Sequence, residues 1–332
     1  MMLWLQFAAC TAIIIFSGTR MSRLGDVIAA KTGLGLTWIG VVLMASVTSL
    51  PELITGVSSV TVYNLPNIAA GDVLGSCMFN LLILAAFDVK RDRDPISSLA
   101  HQGHILTAAF GILLLGCATV GMLAGPAIPS VGWVGIPSLV ILPLYLVAMR
   151  VVFRHEKKRV AEYLTEVAEE ARYEDVSRAS AFGGFAVHAV LIAIAASYLP
   201  HVADAIAVTT GLGNTFVGSV FVALSTSLPE IVVSREALRI GAVDLAVGGI
   251  LGSNLSDLAI LAVDDVFYRQ GPIYTHVSPS HAITATGAAT MTAITTIALV
   301  YRSTRRVWVF PWESLGIFAA YGIISLLLYL MR

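Results

Sequence analysis

The sequence predicts an all-α, polytopic membrane protein of ten transmembrane helices in two inverted five-helix repeats, with N- and C-termini outside. Three observations predict it. Of 332 residues 57% are hydrophobic and 12% charged, against roughly 25% charged in soluble domains. Apolar runs of bilayer-spanning length recur along the whole chain, so a signal peptide or single anchor does not explain them. One block of sequence also occurs twice.

A spanning helix needs about 20 mostly apolar residues. This places spans near 2–19, 24–61, 65–88, 99–121, 127–149, 180–199, 206–238, 244–267, 280–300 and 311–331, the second and seventh too long for one straight crossing. Basic residues in short loops stay in the cytoplasm. With the N-terminus outside, the inner segments carry Arg20, Arg23 and Lys31; Lys90, Arg91 and Arg93; Arg150, Arg154, Lys157, Lys158, Arg159, Arg172 and Arg178; Arg235 and Arg239; and Arg302, Arg305 and Arg306. These are eighteen of the twenty Lys and Arg residues; Arg269 and Arg332 fall outside. A missed or extra span would scramble this sorting. The polar stretch after Met149, with Val160, Tyr163, Leu164 and Val167 at helical spacing, predicts a cytoplasmic linker helix. The expected organisation is a first half (1–149), a linker (150–179) and a second half (180–332).

Residues 24–52 (LGDVIAAKTGLGLTWIGVVLMASVTSLPE) align without gaps to 202–230 (VADAIAVTTGLGNTFVGSVFVALSTSLPE). After a one-residue slip, GDVLGSCMFNLLIL at 71–84 matches GGILGSNLSDLAIL at 248–261. The repeats cover about 24–88 and 202–265. An odd number of spans per half makes them inverted, the architecture of secondary transporters whose sites lie near the midplane where the halves meet.

Glu52 and Glu230 lie inside apolar runs, where an ionised carboxylate is costly unless it faces a cavity and meets a cation. Pro51 and Pro229 lack an amide, so each break frees the carbonyl one turn earlier, at Val47 and Ser225. Thr48 and Ser49 precede Glu52 by four and three residues, as Thr226 and Ser227 precede Glu230, which puts hydroxyls and carboxylate on one face. Ser76 and Asn80, and Ser253 and Asp257, do the same by i,i+4 spacing. An all-oxygen set without Cys or His suits calcium and sodium rather than softer metals.

Asp72, Asp88, Asp264 and Asp265, near span ends, read as solvated or capping residues outside the site, and His101 and His104 as interface histidines. Gly33, Gly35, Gly40, Gly211, Gly213 and Gly218 read as close-packing positions or hinges, which the sequence does not separate. Cys10, Cys77 and Cys117 read as small buried hydrophobes.

The two TSLPE blocks and the GSC and GSN blocks resemble the cation/calcium exchanger superfamily, and Leu-Pro-Glu at 50–52 and 228–230 resembles its sodium/calcium branch. The chain departs from that pattern at Val47 and Ser225, where the family carries Gly, and at Cys77, where it carries Asn; these changes are expected to add bulk near the ions. The resemblance implies sodium-for-calcium antiport by alternating access. It implies that Glu52 and Glu230 bridge a central site, with Thr48, Ser49, Ser76, Thr226, Ser227, Ser253 and the carbonyls of Ala45 and Ala223 completing it, and Asn80 and Asp257 as an unequal flanking pair. Na+ and Ca2+ are then substrates, the bilayer is the solvent, and no cofactor, enzymatic activity, nucleic acid or protein partner is expected. The compact length suggests a prokaryotic inner membrane. From the residues alone a proton could replace sodium as the driver, and a cation channel could use the same oxygens; the inverted pair speaks against a channel.

Overall fold

The structure, a computed structural model, describes residues 1–32, 47–89, 94–170, 177–239, 241–308 and 310–332. Ala45, Gly33, Gly35, Gly40, Lys90, Arg91, Arg93 and Arg172 lie outside them. The described chain is nearly all helical: α1 (Met2–Thr32), α2 (Leu50–Thr61), α3 (Pro66–Val89), α4 (His104–Ala124), α5 (Ile136–Glu170), α6 (Arg178–Thr210), α7 (Gly213–Thr226), α8 (Leu228–Arg239), α9 (Val243–Phe267), α10 (His281–Tyr301) and α11 (Trp312–Leu330). Among the described residues, eight helices are long and apolar enough to cross a bilayer, and the bent pair α7–α8 makes a ninth span. The twofold repeat runs further than the sequence match. The ends of α4 and α10 correspond at an offset of 177, and the two-stranded hairpins Ser130–Val131/Val134–Gly135 (β1, β2) and Arg306–Val307/Phe310–Pro311 (β3, β4) correspond at 176.

The turns expected after residues 19 and 199 are absent. α1 continues to Thr32 and α6 through Pro200 to Thr210. Arg20-Met-Ser-Arg23 holds no helix breaker, whereas Thr-Gly-Leu-Gly does: Gly211 and Gly213 both adopt φ +71°, the left-handed conformation that ends helices. These two glycines therefore turn the chain rather than pack it. At 1.5 Å per residue α1 is about 46 Å long, more than the hydrocarbon thickness of about 30 Å. It must tilt or project.

α3 and α9 form the centre, with 89% and 78% of their spanning windows buried, against 22% for α1, α6 and α11. The outer helices turn side chains such as Val187, Val190 and Ile194 outward, as lipid contact demands. Close approach at the centre is set by glycine. A Cβ on Gly71 would lie 2.9 Å from the Ser219 amide nitrogen, and one on Gly75 would overlap the Ser219 carbonyl and lie 2.7 Å from the Ala223 Cβ. Gly218 meets α3 from the other side, 3.1 Å from the Ile68 carbonyl, so there the packing expectation holds. Residues 218–222 form a π turn at this contact.

Two matched clamps tie the halves together. The amide of His101 (2.6 Å) and the Nε2 of His104 (3.1 Å) both donate to Oδ1 of Asp244 on α9. In mirror image, the amide of Ser278 (2.7 Å) and the Nε2 of His281 (3.2 Å) donate to Oδ1 of Asn67 on α3. Matched caps accompany them: Asp88 accepts from the Ile96 amide (2.8 Å) and Asp265 from the Ile273 amide (2.6 Å). Asp88, Asp265 and the histidines thus take the capping and interface roles expected of them.

Gly75→Ala is expected to push α3 from α7 and cost about 1–3 kcal/mol, lowering the melting temperature in detergent. Gly183→Ala, which faces open space on α6, should leave it unchanged.

Candidate functional site

Each repeat breaks its helix at one serine. Ser49 (φ −86°, ψ 15°) and Ser227 (φ −84°, ψ 2°) adopt the same bridge conformation. The axis bends 44° between α7 and α8, because Pro229 cannot donate the amide that would continue the helix. α2 and α8 start afresh there, each with its glutamate in the first turn. The positive end of a helix dipole favours a carboxylate at that position. α1 supports the second break, since a Cβ on Gly18 would lie 2.6 Å from the Pro229 ring.

The two breaks face each other between α3 and α9. Glu52, Glu230, Ser49, Ser76, Asn80, Ala223, Thr226, Ser227, Ser253 and Asp257 are all buried, and Thr48 is half-buried. Contacts cross the repeat boundary: the Ser227 hydroxyl donates to Glu52 Oε1 (3.4 Å), and the Thr48 and Ser253 hydroxyls meet at 3.2 Å. Glu230 and Asp257 lie within electrostatic reach of Glu52. Many oxygens have no hydrogen-bond partner: Glu52 Oε2, Glu230 Oε2, both Asp257 oxygens, Asn80 Oδ1, and the hydroxyls of Ser49 and Ser76. Among the described residues none of these carboxylates pairs with Lys or Arg. A buried carboxylate without donors is strongly disfavoured, so this constellation is chemically incomplete without cations.

The structure corrects the sequence expectation at several residues. Asp72, expected to be solvated or capping, is fully buried and accepts the Thr226 hydroxyl on Oδ1 at 2.8 Å, the shortest of that hydroxyl's three acceptor distances. Its Oδ2 has no partner, and it lies within electrostatic reach of Glu52, Glu230 and Asp257. The signal for it was present, since Asp72, Ser76 and Asn80 follow one another at i,i+4 on one face. Asp264 is likewise enclosed rather than solvated. Asn254, read only as part of the GSN block, holds α3 to α9: Asn80 Nδ2 donates to its Oδ1 (3.0 Å) and its Nδ2 to the Cys77 carbonyl (3.1 Å). Each pattern departure has contacts of its own, and Cys77 lies within electrostatic reach of Glu52 and Asp257. Ser225 accepts from Thr11 (2.9 Å) and donates to the Phe221 carbonyl (3.0 Å), Val47 packs toward α1, and Cys77 Sγ contacts the Asn254 carbonyl at 3.7 Å.

A twofold repeat of membrane-spanning helices around a buried, oxygen-lined centre is the architecture of a membrane transporter of hard cations. The profile of the sodium/calcium exchanger protein family matches residues 2–153 and 180–331. The chain belongs to that family of cation antiporters and is a transporter, not an enzyme. It is 24% identical over 261 residues to the inner membrane protein YrbG of Escherichia coli K12, covering 75% of this chain and 74% of that one. Its fold is similar to the sodium-calcium exchanger NCX_Mj (TM-score 0.60, 20% identity, 97% of each chain). It is also similar to the H+/Ca2+ exchanger CAX (TM-score 0.70, 14% identity, 99% of this chain and 86% of that one).

Asn254→Leu strands the Asn80 amide and the Cys77 carbonyl, and each orphaned group costs about 1–3 kcal/mol. The variant is expected to melt earlier in detergent.

Proposed function

We propose that this chain exchanges sodium for calcium across the membrane by alternating access, in an inner-membrane setting like that named for its Escherichia coli relative. The reading takes ten spans in two inverted five-helix repeats, puts both termini outside, and divides the chain at a linker over 150–179. The observation that carries it is the pair Glu52 and Glu230, buried at matched helix breaks, each with its Oε2 unpartnered.

Glu52 and Glu230 bridge the central ion. Thr48, Ser49, Ser76, Thr226, Ser227 and Ser253 add hydroxyls, Ala45 and Ala223 add carbonyls, and Asn80 and Asp257 flank the site. Among the described residues no three acidic, His or Cys side chains converge as a metal cage, so hydroxyls, amides and carbonyls must supply most of a six- to eight-oxygen calcium shell. Exchange is obligatory for an electrostatic reason. The empty site holds bare anionic charge in a low dielectric and resists the conformational switch, whereas bound cations neutralise it. Sodium coupling is supported by the family profile and by the Leu-Pro-Glu pattern of both breaks.

Calcium-45 uptake into sodium-loaded proteoliposomes, compared with proton-loaded and gradient-free vesicles, tests this. Sodium-dependent uptake is expected, and Glu52→Gln or Glu230→Gln should reduce it about a hundredfold or more, the scale of breaking a buried charge interaction worth about 3–5 kcal/mol. Uptake driven by protons instead would move the chain to proton-coupled antiport, ohmic flux to a channel. Because Asp257 faces Asn80 across the pseudo-symmetry, Asp257→Asn removes one site charge. The charge moved per calcium, read from the reversal potential, should change while calcium/calcium exchange persists.

A further inference from the structure

One end of the bundle carries two carboxylates beyond the proposed ligand set, Asp264 and Asp72, the second of which borders that set through Thr226. The C-terminus of α2 and the N-terminus of α3 share this end through the short connection 62–65, and the Asn67 clamp brings the segment after α9 to it. Asp264 lies there on α9, two turns beyond Asp257 and on the same face. It is fully enclosed, and neither carboxylate oxygen has a hydrogen-bond donor. Its neighbour Asp265 behaves differently, spending its oxygens on the Gly135 and Ile273 amides.

Asp264 sits directly over Gly56, one turn after Glu52. A Cβ on Gly56 would lie 2.6 Å from Asp264 Oδ1 and 2.8 Å from Cγ, so only glycine leaves room for the carboxylate. The second carboxylate is Asp72, one turn before Ser76 on α3, within electrostatic reach of Asp264 and with Oδ2 unpartnered. The repeat offers no counterpart: the mirror position of Asp72 is Gly249 and that of Asp264 is Phe87. This unpartnered pair is therefore particular to one end; the other end carries Asp88 and Glu313 beside a small cavity instead.

We propose that Asp264 and Asp72 form a second, one-sided station for a hard cation, sodium or calcium, between the central glutamates and the end of the bundle bearing Thr61 and Phe267. It rests on the cation-antiport reading. Two carboxylates without a third ligand of their kind among the described residues suit transit rather than storage. They draw cations in from that face and hand them one turn inward, from Gly56 to Glu52 on α2 and from Asp72 to Ser76 on α3. A cleft lined by charge of one sign raises local counter-ion concentration and capture rate.

The test is calcium-45 uptake by protein reconstituted in one orientation, with calcium titrated separately at each face, for wild type, Asp264→Asn, Asp72→Asn and Glu52→Gln. Glu52→Gln should lose uptake from both faces. Asp264→Asn is expected to raise the half-saturating calcium concentration about tenfold, at the lower end of the effect of a charged cleft, at the Thr61/Phe267 face alone, with the maximal rate kept. Wild-type behaviour at both faces, or an equal rise at both, overturns the station. If Asp264→Asn proves unfolded by thermal melting, Asp72→Asn is expected to raise the half-saturating calcium concentration at the same face alone, whatever its maximal rate, since its carboxylate also accepts from Thr226. Absence of wild-type flux would sink the antiport reading instead. The station would then be judged by equilibrium calcium-45 binding, and equal binding by wild type and Asp264→Asn would overturn it.

Discussion

The constraint on which this fold depends is the burial of carboxylates among apolar helices with no Lys or Arg pairing with them among the described residues. Glu52 and Glu230 sit at the starts of α2 and α8, and most of the oxygens around them lack donors. Their neighbours then follow as consequences. Prolines open the helices, helix dipoles favour the anionic side chains, and glycines let α3 press onto α7 until oxygens from opposite repeats meet. Burial of this kind disfavours the bare carboxylates unless a cation or a proton neutralises them.

The twofold repeat supplies the frame, and its imperfections supply direction. Clamps at Asp244 and Asn67, caps at Asp88 and Asp265, and matched helix breaks recur at nearly constant offset. Around the two glutamates the symmetry fails. Asn80 faces Asp257, Thr226 donates to Asp72 while Thr48 meets Ser253, and Asp264 has no partner across the axis. An exchanger built from identical halves would present the same electrostatics to both faces. The unequal carboxylates remove that equivalence.

Much was legible in the sequence because it was local or repeated. Span length, basic-residue sorting and the duplicated Leu-Pro-Glu block gave the helical membrane class and the paired glutamates, and i,i+4 spacing gave the oxygen faces. Helix ends were read less well. Composition hid the continuity of α1 and α6, because a solvated Arg20 or Arg23 is as compatible with a projecting helix as with a loop. Asp72 and Asp264 were misread for a related reason: position near a span end suggests water, but here neighbouring helices exclude it.

What the sequence alone determined was the inventory: helices, breaks, the twofold repeat, and oxygen-bearing side chains on predictable faces, all read from helical periodicity, proline chemistry and the duplicated blocks. What only the tertiary structure decided was which of those oxygens meet. Thr226 and Asp72, Asn80 and Asn254, and Ser227 and Glu52 are each more than 150 residues apart. Their contact is set by how closely glycine lets whole helices approach and by where each axis bends. That is a property of packed bodies, which no single helix's periodicity can encode.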